Sequence, residues 1–107
     1  MSGVYFIHTP ELGEKSLFKI GWSKHILKRI KQLQTGNGYK LELYKSIESS
    51  DSNLETKTHQ ALAQYRVIGE WFKLSKDQVD VIVSIYNHIQ ETQDSHQSIT
   101  DEDSDSE

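Results

Sequence analysis

Two apolar pentapeptides near the start of the chain, Gly3-Val4-Tyr5-Phe6-Ile7 and Leu17-Phe18-Lys19-Ile20-Gly21, flank a polar stretch containing Pro10 and Gly13. Their aromatic and β-branched content, with turn-forming residues between, predicts an antiparallel strand pair, most simply a hairpin. Side chains alternate across a strand, so Val4 and Phe6 point to one face and Gly3, Tyr5 and Ile7 to the other. Phe18 and Ile20 separate in the same way from Leu17, Lys19 and Gly21. Pairing the apolar faces leaves Tyr5 and Lys19 together on the opposite one. Periodicity alone makes Tyr5 a β-favouring core residue and Lys19 an edge charge that discourages aggregation.

A helical period follows. Ser23 can cap a helix running to about Gln34, where Gly36 and Gly38 end it, with Ile26, Leu27, Ile30 and Leu33 as its packing stripe. Lys24, Lys28 and Lys31 point away from that stripe, and Arg29 falls on its flank, placed either to snorkel or to lean over the hairpin. Leu41 to Ile47 alternates with a strand period and predicts a third strand. Ser52-Asn53-Leu54-Glu55 has the form of a capping box opening a helix to about Arg66, with Leu54, Thr58, Ala61, Leu62 and Tyr65 inward. In that frame Glu55 reaches back to its cap and His59 is a half-exposed helix histidine one turn on. Gly69 to Leu74 is a short apolar strand or turn whose Trp71 and Phe72 serve as core anchors. Ser75-Lys76-Asp77-Gln78 is a second capping box, opening a helix to about Glu91. Its apolar arc is wide enough to be mostly buried or to leave a strip for a protein partner.

The expected fold is an α+β sandwich of one domain over residues 1–92: a small, mostly antiparallel three-stranded sheet flanked by helices. Composition changes this picture at the C-terminus. Residues 93–107 read as a disordered, serine-rich acidic tail, because six of the 16 acidic residues and no lysine or arginine fall there. The remainder holds 12 basic and 10 acidic residues, so the net charge of -4 describes the tail rather than the body. The tail is either a solvated segment or a mimic competing with phosphate for a basic face, and Ser98, Thr100 and Ser104 precede acidic residues as acid-directed phosphorylation sites do. With no cysteine and no bilayer-length apolar run, disulfides, thiolate zinc and a membrane span are not expected, and the default compartment is intracellular, cytoplasm and nucleus being indistinguishable. Glycine-rich phosphate loops and serine or cysteine nucleophile signatures are missing too.

The ordered set of Gly3-Val4-Tyr5, Lys19-Ile20-Gly21, Arg29 and a later helix carrying Leu54-Glu55 and His59 resembles the GIY-YIG nuclease superfamily. It is most similar to the small phage, fungal and large-virus branch labelled a DNA-binding domain. The resemblance spans Gly3 to Leu74 and includes the run Lys28 to Asn37 and the block Gly69-Glu70-Trp71-Phe72. It implies that Tyr5 helps activate water, that Arg29 steadies the scissile phosphate, and that Glu55 holds a single magnesium or manganese ion. Lys19 stands where the classical second motif has tyrosine, a change shared by that branch. Leu33 takes the approximate place of a helix histidine, and no counterpart of the family's late asparagine is evident after Glu55.

The expected function is a metal-dependent endonuclease hydrolysing DNA, with Tyr5, Lys19, Arg29 and His59 as catalytic residues and Glu55 as metal ligand. Lys24, Lys28 and Lys31 would hold backbone phosphates without reading sequence. A tyrosine is a weak base at its ordinary pKa of about 10, so Tyr5 needs Lys19, Arg29 or a metal close by to lower it. Two alternatives stand beside this: a non-catalytic DNA-binding module on the same scaffold, and a protein-interaction domain using helix 76–91.

Overall fold

The computed structural model describes residues 1–9 and 15–89. Pro10, Gly13 and the acidic segment 93–107 lie outside these. Strands β1 (Gly3–His8), β2 (Ser16–Ser23), β3 (Glu42–Glu48), β4 (Arg66–Ile68) and β5 (Trp71–Leu74) form one antiparallel sheet in the order β3-β1-β2-β5-β4. Helices α1 (Ile26–Thr35) and α2 (Asn53–Ala61) and a helix over 76–89, α3, pack on it.

Five strands replace the expected three. The helix predicted to reach Arg66 stops at Ala61 and gives way to one 3-10 turn, Ala63–Tyr65. The β-branched pair Val67-Ile68 then favours extended backbone, and a turn at Gly69, which adopts a positive φ of 54°, folds β4 onto β5. Ala61 is consequently exposed rather than inward, and Tyr65 sits in the 3-10 turn.

β1 lies between β3 and β2, and all six of its residues are buried. Its alternation sorts the molecule into two layers. Val4, Phe6, Phe18, Ile20, Ile47, Phe72 and Leu74 pack against Leu54 and Leu62 and against Val79 and Val83 of α3. Tyr5 and Ile7 share the other face with Ile26, Leu41, Ile30, Leu33 and Trp71. Phe72 is thus a core anchor as expected, whereas Trp71 packs on the opposite face and is only half-buried.

α1 is rotated relative to the expected stripe: Leu27 is 61% exposed, while Ile26, Ile30 and Leu33 pack inward. Arg29, three residues from Ile26, turns toward the sheet as a result. Ser23 does not cap this helix directly. It accepts the His25 amide at 3.1 Å one turn earlier, and His25 is the N-cap, without a side-chain bond.

The two capping boxes part company. At α3 the box is reciprocal, the Ser75 amide donating to Gln78 Oε1 at 2.8 Å and the Gln78 amide to Ser75 Oγ at 3.1 Å. At α2, Ser52 makes no side-chain cap bond, and Asp51 instead accepts the Asn53 amide at 2.9 Å. That leaves Glu55 free to point elsewhere. Along α3, Val81, Ile85 and Ile89 remain exposed at four-residue spacing. Among the described residues no helix is long and apolar enough to cross a membrane.

Candidate functional site

A gap in strand pairing creates the site. β2 pairs with β1 from Phe18 to Ser23, but with β5 only over Ser16 to Lys19. Backbone groups past that point have no neighbouring strand, and buried backbone donors and acceptors need partners. The Ile20 amide donates to the Glu70 carbonyl at 2.9 Å. The Ile20 carbonyl accepts from His59 Nε2 at 2.8 Å, and the Trp22 amide donates to Glu55 Oε2 at 3.0 Å. Residues one turn apart on α2 therefore complete the edge of β2.

Glu55 does not cap its own helix. Together with His59 and Glu70 it forms a group whose ligand atoms lie within 4.8 Å of one another and could hold a metal ion. The three do not fit a cation equally. His59 Nε2 already donates to Ile20 and lies 3.9 Å from Glu55 Oε1, so coordination at that atom would displace its bond to the strand. Glu55 and Glu70 fit better, being hard oxygen donors in direct contact. Burial, and then the hydrogen bond and negative charge of Glu70, push the Glu55 carboxyl above its ordinary range, while the Trp22 amide and His59 act against them. A divalent cation between the two carboxylates would relieve that repulsion.

Tyr5 arrives from the opposite face of the sheet. It is the register partner of Gly21, and its ring crosses the position a side chain would occupy there: a Cβ on Gly21 would lie 2.4 Å from the Tyr5 hydroxyl, 2.6 Å from Cζ and 3.1 Å from Glu70 Oε1. Only glycine lets the hydroxyl reach the edge of β2. Burial raises the Tyr5 pKa above its ordinary value, a hydrogen bond from Arg29 opposes the rise, and the Glu70 and Glu55 carboxylates add to it. Arg29 thus lowers this pKa as a nearby cation should, but burial and the carboxylates outweigh it. Lys19 is engaged elsewhere, 3.2 Å from Glu70 Oε2, and at neutral pH Tyr5 is a phenol that donates.

Tyr5, Lys19, Arg29, Glu55 and His59 are thus brought together in two sets of contacts, Arg29–Tyr5 and Lys19–Glu70–Glu55–His59, with the Glu70 and Glu55 charges acting on Tyr5 between them. Lys28 and Lys31 lie exposed on α1, and Lys24 in the link before it, outside that cluster. Two members had not been assigned roles from sequence. Gly21 carried a signal, a glycine inside an apolar strand, which marks close approach of another group. Glu70 carried a weaker one, a lone carboxylate after Gly69 in an otherwise apolar block.

Comparison with curated proteins and with solved structures finds no match. The T5orf172 domain model matches residues 2–87, and the chain belongs to that family, a domain of phage and fungal homing-endonuclease-like proteins that is loosely related to GIY-YIG-type nucleases.

Proposed function

We propose that the chain is a divalent-metal-dependent nuclease acting on DNA. The observation that supports this most is the meeting of an arginine, a tyrosine hydroxyl and two facing carboxylates at one gap in the sheet edge. Hydrolysis of a phosphodiester needs cationic stabilisation of the phosphate, oriented donors and an acceptor for the water proton. Arg29 supplies the first, its guanidinium matching two phosphate oxygens. Tyr5 donates from its hydroxyl to orient the attacking water or a phosphate oxygen. Glu55, joined by Glu70, holds magnesium or manganese, which when bound supplies Lewis acidity at the phosphate. Lys19 keeps Glu70 in place. His59, braced through Nε2 on the Ile20 carbonyl, is the side chain placed to accept the proton of the attacking water. Lys24, Lys28 and Lys31 contact flanking phosphates, which predicts salt-dependent binding with little sequence preference.

Plasmid nicking with magnesium tests the proposal. Tyr5→Phe, Arg29→Ala and Glu55→Gln each suppress it, and wild-type protein inert across divalent metals and substrates refutes catalysis.

A second reading, a non-catalytic DNA-binding module, draws on a specific observation: Glu55, His59 and Glu70 all make bonds that stabilise the fold without any metal. Glu55→Gln discriminates, because the amide oxygen still accepts from Trp22. DNA binding that persists in this variant, with no nicking in wild type, favours the second reading.

A further inference from the structure

A groove of about 690 Å³ opens on the α1 side of the sheet. Its walls include Leu17, Tyr39, Lys40, Val67, Ile68 and Trp71. Tyr39 is 73% exposed and Ile68 72%, so large apolar side chains face solvent around a concave surface, a pattern typical of a binding site. The exposed tyrosine is held on a braced loop. Gln34 Nε2 donates to the Tyr39 carbonyl at 2.9 Å, the Tyr39 amide donates to Asn37 Oδ1 at 2.9 Å, and the Leu41 amide donates to Gln34 Oε1 at 2.7 Å.

The groove adjoins the candidate site. Trp71 follows Glu70 directly and is the register partner of Lys19, whose Nζ lies 5.9 Å from the Trp71 ring centre. In the next pair on that face, two residues along each strand, Leu17 faces Lys73. Lys19, Lys40 and exposed Lys73 therefore flank an apolar, partly aromatic floor. Glu70 and Glu42 pair with the first two, and Lys73 has no carboxylate partner among the described residues.

We propose that this groove receives unpaired nucleobases next to the phosphate held by Arg29, so that the substrate class is single-stranded or locally opened nucleic acid. The proposal rests on the reading of the neighbouring site as a phosphodiester site. A nucleotide combines a flat apolar ring with an anionic backbone, which matches aromatic walls bordered by lysines. An apolar peptide would make no use of the lysines.

The test measures binding of the full chain in EDTA to labelled oligodeoxythymidine and to a blunt duplex of equal length. Tyr39→Ser and Ile68→Ser alter exposed positions, and circular dichroism verifies that both fold. Tyr39→Ser is expected to weaken single-strand binding about ten-fold or more, the scale of one lost base–aromatic stack, while duplex binding stays unchanged. Equal losses on both ligands, or no loss on either, overturn the proposal. So does a wild-type dimer, seen by light scattering, that Ile68→Ser dissociates, since a second copy would then fill the groove. Tyr39-dependent single-strand binding by a protein that cuts nothing with any metal upholds the groove and refutes the nuclease. Cleavage whose strand preference is unchanged in Tyr39→Ser does the reverse.

Discussion

The two faces of the sheet are built from alternate residues of the same strands, yet they carry different burdens. On the α2 and α3 side, Val4, Phe6, Phe18, Ile20 and Phe72 are fully buried among apolar neighbours. On the α1 side the corresponding positions are Tyr5, Lys19, Gly21 and Trp71, three with polar atoms and one with no side chain. Strand alternation lets both patterns coexist, because a change on one face leaves the other in register. The first face is expected to govern stability and the second to trade packing for chemistry.

The largest effect tests the stability side. Phe18 packs edge-on to His8 at 5.7 Å and tilted against Tyr44 at 5.6 Å between ring centres. Phe18→Ala is expected to destabilise the fold by about 3–5 kcal/mol, the usual range for deleting a buried phenylalanine. Urea unfolding monitored by circular dichroism measures it. A loss below about 1 kcal/mol would mean that this face is not the main source of stability.

A smaller effect is expected where the faces meet. Gly21→Ala places a methyl group within 2.4 Å of the Tyr5 hydroxyl, an overpacking that costs about 1–3 kcal/mol. Adding Tyr5→Phe removes the hydroxyl but leaves ring carbon Cζ 2.6 Å from the new methyl, so the double variant recovers only part of the loss. A double-mutant cycle should show that coupling. Strictly additive losses would mean that the ring moves aside and that Gly21 is not required by Tyr5.

Titration separates the faces more gently. Glu55 has a folded pKa above its ordinary 4.5, because burial and Glu70 disfavour its charge. The folded state thus holds its proton more tightly than the unfolded state does. The resulting stability is present below the ordinary carboxylate range and is lost as pH rises through the raised folded pKa. In metal-free buffer, the difference in melting temperature between wild type and Glu55→Gln should drift against wild type as pH climbs from 4 toward neutrality. A constant difference would remove the strained carboxylate pair from this account. The raised pKa of Tyr5 acts in the same direction, but only above pH 10.

How legible each region is from sequence follows from how local its causes are. The hairpin faces, the run of α1 to Gly36 and the reciprocal Ser75–Gln78 cap depend on residues close in the chain, and the pattern of side chains records them. The β4–β5 hairpin competes with a plausible continuation of α2; Val67, Ile68 and the turn at Gly69 favour it locally, and the pairing of β5 with β2 adds a long-range cause that the sequence pattern does not record. Glu70 became visible as part of the site only when β5 joined the sheet beside Lys19, 51 positions away in sequence. Arg29 was placed on the flank of its helix by geometry, but its contact with Tyr5 depended on Leu27 turning outward.

The smallest predicted effect compares two motifs that look alike in sequence. Ser52-x-x-Glu55 and Ser75-x-x-Gln78 share the capping-box form, but only the second closes on itself. Ser75→Ala should cost about 1 kcal/mol, since it leaves the Gln78 amide without its acceptor. Ser52→Ala should change stability by less than about 0.5 kcal/mol, because Ser52 makes no cap bond there and Asp51 already accepts the Asn53 amide. Equal costs would mean that the Ser52 hydroxyl accepts the Glu55 amide after all. That is the geometry in which a capping-box glutamate also turns back to its helix start, and the Glu55 carboxylate would then be divided between capping and the edge of β2.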